Sequence, residues 1–352
     1  MTLAFARPLA ALSLTFVLSG CTGISYYVQS VNGHLQIVSA RQPVDELIAD
    51  PEKPAILRAQ MALASDIRQF ASEELALPDN DSYRSYVDTH RDYVTWAVFA
   101  APELSLEART WCFPVYGCVP YRGYFSEETA NRFAAQLRRQ GLDVHVAGIT
   151  AYSTLGWSSD PLLNTMFGQD EAHLAGLVFH ELAHQQFYAR GDSAFNEGFA
   201  VVVETTGVTK WLTHRGDPAA LRRYRDGRER RADFLALVAG ARDALAQIYD
   251  GPGSEAQKRA AKAAVIEELR SDYRRLRDRR WSGFAGYDAW FDTPIGNAKI
   301  AAAGVYNDLV PAFERLFDLC AGDHARFYRA VQRLGALDGA RRADALKTVE
   351  SW

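Results

Sequence analysis

The chain has 352 residues, a formal net charge of −4 and an apolar fraction of 48%. The mild acidity excludes a nucleic-acid partner as a global property, and the apolar fraction is enough for a sizeable core. There is no internal repeat and no low-complexity segment.

Met1 to Leu18 carries one basic residue, Arg7, and the apolar run PLAALSLTFVL. That run is too short to span a bilayer comfortably and reads as a signal segment. It ends in LSGC, which resembles a bacterial lipobox. The resemblance implies a signal peptide over residues 1–20, cut before Cys21, and a lipid on that cysteine. Thr22 is not the aspartate associated with inner-membrane retention, so the resemblance favours the outer membrane and a chain facing the periplasm. Removing Cys21 leaves Cys112, Cys118 and Cys320. In CFPVYGC a Pro/Gly turn separates Cys112 from Cys118, where a disulfide loop is feasible in an oxidising compartment. Cys320, in FERLFDLCAG, reads as a buried free thiol.

Residues 21–352 are expected to form one domain. Pro43 to Leu77 reads as helix in pieces, broken near Asp50-Pro51. YVTWAVFAAPEL, from Tyr93, alternates and is rich in β-branched and aromatic residues, so it reads as a strand. WCFPVYGCVPYRGYF is a hairpin or loop. SEETANRFAAQLRRQG is a helix capped by Ser126 and stopped by Gly141. LDVHVAGITAYSTLG is a second strand, with Leu142, Val144 and Val146 on one face. The order of elements gives an α+β fold with a small mixed sheet packed on a helix and a largely helical C-terminal half.

That helix is expected over Glu171 to Ala189, where Leu174, Leu177, Val178 and Leu182 have helical spacing. His180 and His184 are i and i+4, one turn apart on one face, so two imidazoles can reach one ion. Glu181 is turned about 100° from His180 and borders the site without being a ligand. A carboxylate there suits a general base acting on a metal-activated water. Zinc in a catalytic site takes three protein ligands and leaves a fourth place open. A metzincin would need glycine at 187 and histidine at 190; the residues are Phe187 and Arg190, which excludes that class. AFNEGFAVVVETTG is read as a buried second helix ending at Gly207. Glu197 and Glu204, seven apart, point to one side of it. His173 lies too far along the first helix to share the ion.

LRRYRDGRERRADFLALVAGARDALAQIYD and the segment after GPGS make a long helical hairpin over about residues 219–280. Its facing stripes are Phe234, Leu237, Val238, Ala241, Leu245 and Ile248, and Val265, Leu269, Tyr273 and Leu276. Ser254 with Gln257 forms a capping box. The arginines Arg222 to Arg231 and Arg274 to Arg280 read as a solvated face.

HELAHQ followed by NEGFA resembles the glutamate-zincins, which include thermolysin and the aminopeptidase N family. The lipobox, WCFPVYGC, YSTLGWSSDPLLNTM, FHELAHQ, FNEGFA and YNDLVPAF together resemble a family of bacterial lipoprotein aminopeptidases, over Cys21 to Phe313. The resemblance implies a zincin-like fold and a Zn²⁺ held by His180, His184 and Glu197, with Glu181 as general base. Glu197 is favoured because the Asn-Glu pairing travels with the ligand in both relatives; at the thermolysin spacing the ligand would be Glu204. It further implies that Tyr152, Ser153, Thr154, Leu155 and Gly156 form an edge strand pairing with the substrate backbone. Tyr306 is the candidate to stabilise the oxyanion, and Asp160 a candidate to receive a substrate amine. The function implied is zinc-dependent hydrolysis of peptides, as an aminopeptidase anchored to the membrane by lipid. The alternative is a non-catalytic lipoprotein that keeps a structural metal and serves binding or assembly.

Overall fold

The computed structural model describes residues 25–113, 117–304 and 309–348. The signal segment, Cys21 and Tyr306 lie outside the described residues. Helix α1 covers residues 25–39 and was not visible in the periodicity. After β1 (Gln42–Pro43) come α2 (Val44–Ala49) and α3 (Ala55–Leu75), the two pieces expected around Asp50-Pro51. β2 (Ser85–Val87) pairs antiparallel with β1 and parallel with Leu162–Leu163. This mixed sheet is minimal, but Tyr86, Val87, Leu162 and Leu163 share the main core with Leu174, Val178 and Leu182 of the histidine-bearing helix.

The longer strands form a different sheet. β3 (Thr95–Pro102) pairs antiparallel with both β6 (Tyr121–Tyr124) and β7 (Leu142–Ile149). Between β3 and β6, β4 (Trp111–Phe113) and β5 (Gly117–Val119) form a hairpin on which Cys112 and Cys118 are disulfide-bonded. A small mixed sheet is therefore present as expected, but the strands read from the sequence at Tyr93 and Leu142 do not belong to it. The sheet built by the predicted strands is all antiparallel and packs elsewhere. On one face Trp96, Val98 and Ala100 meet Ala130, Ala134 and Leu137 of α4 (Glu127–Arg139). On the other, Ala97, Phe99 and Ala101 meet Ala298 of α10 (Asn297–Gly304). With both faces covered, Trp96 to Ala101 are all buried, in place of the expected alternation. Ser126 caps α4 by accepting from Thr129 N at 3.3 Å.

The principal core is helical. α5 (Glu171–Gln186) and α6 (Ser193–His214) lie side by side, with α3 across both. α11 (Val310–Leu319), α12 (His324–Gly335) and α13 (Gly339–Lys347) close the core. α7 (Pro218–Asp250) and α8 (Glu255–Arg279) form the expected hairpin, packed through Phe234, Val238, Ala241, Leu245, Leu269 and Tyr273. The short α9 (Asp288–Asp292) adds Phe291 to that cluster. Ser254 and Gln257 make the capping box at the start of α8.

A buried polar junction docks this arm on the sheet. Asn297 is fully buried, and its Nδ2 donates to the carbonyls of Pro102, Glu103 and Ser105 at 2.8–2.9 Å. Its Oδ1 accepts from Tyr249 Oη at 2.8 Å. Lys262 Nζ reaches Asp143 Oδ2 at 2.6 Å, and the same oxygen accepts from Asn297 N.

Two helix ends differ from expectation. α5 stops at Gln186, three residues early, because Phe187 is extended (φ −157°, ψ 138°). α6 runs through Gly207 to His214. A Cβ at Gly207 would lie 2.8 Å from both Leu75 Cδ1 and Phe179 Cδ2. The glycine therefore serves close packing of α6 on α3 and α5, and does not end the helix.

Candidate metal centre

Asp170 caps α5 by accepting from His173 N at 3.0 Å, and the helix then carries His180 and His184 to one side. Their Nε2 atoms lie 3.2 Å apart. Glu197, in the first turns of α6, completes the group. Its Oε2 is 3.3 Å from His180 Nε2 and its Oε1 is 3.7 Å from His184 Nε2. One donor atom from each of the three residues falls within 4.8 Å of the others. Three lone-pair donors converging on one small volume fit a divalent ion with imidazole and carboxylate preferences.

Asn196 explains how Glu197 arrives there. Its side chain is buried, accepts from Ala189 N at 2.7 Å and donates to Ala189 O at 2.8 Å. This clamp closes the short connection between α5 and α6 and presents the next residue, Glu197, to the histidines. Asp192 caps α6 through Phe195 N and pairs with Arg342 Nη1 at 2.6 Å.

Glu204 stands on the same side of α6, two turns on. Its Oε2 is 3.0 Å from His180 Nδ1, the nitrogen facing away from the convergent group. An acceptor there orients the ring and leaves Nε2 for the ion. Its stem packs against α5 at Gly176. The two glutamates therefore divide between the two nitrogens of one imidazole.

Burial and mutual pairing set the charges of this group. Burial opposes charge on His180, but its contacts with Glu197 and Glu204 outweigh that and hold its pKa well above the usual 6.5. Burial pushes His184 down to about 4, so it is neutral, with Glu197 opposing the shift. Burial also works against ionisation of Glu197 and Glu204. The histidines reverse this for Glu197, and His180 with Arg231 and Arg228 reverses it for Glu204, so both stay ionised. Glu181 behaves differently. Burial pushes its carboxyl up to about 7; Glu197 and Asp160 add to the shift, and His180 and Ser153 oppose it.

Tyr152 to Gly156 do not form a sheet edge. β7 ends at Ile149, and Leu155 (φ 57°) and Gly156 (φ 81°) are left-handed, so the segment is a tight turn. Asp160 builds that turn. Its carboxylate accepts from Thr154 N and Oγ1 and from Ser153 Oγ at 2.8–3.2 Å. Asp160 is buried, and the expectation that it receives a substrate amine is corrected: its oxygens hold the chain's own backbone.

Two residues near the site went unread in the sequence. Gln185, directly after His184, accepts from Asn80 Nδ2 at 2.8 Å and donates to Ser82 Oγ at 3.2 Å. It thereby joins the metal helix to the loop before β2. Tyr83 is buried with φ 63° beside Glu181 and Asp160, and burial with those carboxylates holds its hydroxyl protonated. Neither has a local pattern by which a single sequence could reveal it.

The fold is α+β, and it carries a His–His–carboxylate group that could hold a metal ion. The model of the family described as Putative aminopeptidase matches residues 25–346, and the chain belongs to that family. No curated protein and no solved structure matches it.

Proposed function

We propose that the chain is a zinc-dependent aminopeptidase of glutamate-zincin type, formed by residues 21–352. A lipid on Cys21 tethers it to a bacterial membrane, the outer membrane in the first instance, facing the periplasm. The observation that carries this reading is the convergence of His180, His184 and Glu197, with Glu181 beside them. Family membership supplies the peptide substrate. α5 and α6 play the part of the two ligand-bearing helices of a zincin. His180, His184 and Glu197 would hold the ion, and Zn²⁺ bound there supplies Lewis-acid activation of water and of the scissile carbonyl.

The chain's own groups do the rest. Glu204 fixes the His180 ring through Nδ1. Glu181, with a pKa near neutrality, takes the proton of the attacking water and returns it to the leaving amine. The Tyr152–Gly156 turn borders Glu181 through Ser153 and is the proposed wall of the substrate site, while Tyr306 is the proposed donor to the oxyanion.

Elemental analysis of the purified protein should find about one zinc per chain, abolished in His184→Ala. A peptide library with free and blocked N-termini should be cut only where the N-terminus is free. Zinc retained in full by His184→Ala would remove the site. Zinc present with no peptide cut under any condition would favour the non-catalytic lipoprotein.

A further inference from the structure

Helix α1 has two apolar faces. The inner one docks on the body. Ile37 is in the main core, and Tyr26 packs on Tyr124 with ring centroids 5.6 Å apart. A Cβ at Gly33 would fall 2.2 Å from the Phe125 ring. Gln29 Oε1 accepts from Phe125 N, and Arg41 Nη2, just past the helix, donates to Ser158 Oγ at 2.7 Å. His34 Nδ1 lies 3.4 Å from Tyr152 Oη.

The outer face has no cover. Tyr27, Val28, Val31 and Leu35 are 47–55% exposed. At 100° per residue these four fall within one stripe about 100° wide. The polar, exposed Asn32, Gln36 and Ser39 lie to one side of it, and the docked Gly33 and Ile37 lie away from it. These make up four of the nine large apolar side chains found exposed among the described residues, gathered on about two and a half turns of helix.

We propose that this stripe rests in the interfacial layer of a lipid bilayer, so that α1 lies flat on the membrane that holds the anchor. This rests on the lipid-anchor part of the proposed function. Three observations select lipid as the occupant. Cys21 is four residues before the first described residue of the helix, so a lipid on it keeps that end within about 14 Å of the headgroups. Residues 22–44 contain no aspartate or glutamate, so anionic headgroups meet no repulsion. The stripe mixes tyrosine with aliphatic side chains, the composition of an interfacial helix. Because His34 and Arg41 contact the turn beside Glu181, the docked helix also fixes that turn relative to the membrane.

The test uses the processed, acylated chain in vesicles of phosphatidylethanolamine and phosphatidylglycerol. In a Cys320→Ala background, single cysteines replace Val31, Leu35, Asn32 or Ser39 and carry an environment-sensitive fluorophore. Retained zinc content serves as the check on folding. Probes at 31 and 35 should shift to the blue and be quenched severalfold more by brominated acyl chains than probes at 32 and 39. Equal, weak quenching at all four positions would overturn the proposal. Disulfide formation between two chains carrying Val31→Cys, persisting as the protein is diluted in lipid, would assign the stripe to a second copy and also overturn it. The mass of the Cys21 peptide reads the acyl chain separately. Its absence would remove the anchor, while the quenching pattern would still decide the placement of the helix.

Discussion

Glu204 touches the metal centre only through His180 Nδ1, at 3.0 Å, and its removal separates ring orientation from ligation. In Glu204→Ala two effects oppose each other. Losing the acceptor that orients the imidazole should cost about 10–100-fold in zinc affinity, roughly 1.4–2.7 kcal/mol. Yet the metal-free protein holds His180 protonated well above 6.5 through both Glu197 and Glu204, and the ion must displace that proton. Affinity in the wild type therefore keeps rising about tenfold per pH unit above 6.5, until His180 deprotonates. With one carboxylate gone the folded-state His180 pKa falls, so the variant's affinity levels off at lower pH. The gap between the two proteins should be small in mild acid and reach its full size in mild alkali. Glu197→Ala, which removes a ligand and not an orienting group, should lose far more at every pH. Competition against a chromogenic zinc chelator, run on metal-free protein across the neutral range, measures all three curves. A gap that narrows as pH rises would refute the reasoning. So would a Glu204→Ala protein as weak as Glu197→Ala, because Glu204 would then be the ligand.

Glu181→Gln keeps the volume and loses the proton acceptor; it should retain zinc and lose turnover by at least about 10²–10⁴-fold in a single-turnover assay. Asn196→Ala leaves the Ala189 N–H without its partner, while Ala189 O keeps the Asp192 N–H at 3.1 Å, so the unfolding midpoint should drop by an amount equivalent to about 1–3 kcal/mol. It should also weaken zinc binding although Asn196 is not a ligand, and unchanged chelator competition would show that the clamp does not position Glu197. Asn297→Ala removes the donor to three carbonyls between the sheet and the α7–α8 arm. Denaturant unfolding should show a loss of about 1–3 kcal/mol with zinc affinity unchanged, and a matching loss of zinc would mean that the arm and the centre are coupled.

What the sequence determined by itself is what depends on neighbours within a turn or two. The common face of His180 and His184 follows from the helical repeat. The same holds for the serine cap of α4, the capping box of α8 and the apolar stripes of the hairpin. Each is a local relation that any helix of that sequence would satisfy. Tertiary structure decided the features set by residues far apart in the chain. α5 ends at Gln186, where the chain turns extended to reach Ala189, which Asn196 clamps seven residues further on. Gly207 reads as a stop, and only the presence of Leu75 and Phe179 makes it a packing position inside α6. The Tyr152–Gly156 stretch reads as a strand by composition, but Asp160 folds it into a turn by taking its backbone and hydroxyl hydrogen bonds. The roles of Glu197 and Glu204 were open for the same reason. Helical spacing puts both on one side, and only the packing of α6 against α5 decides which nitrogen of His180 each carboxylate meets.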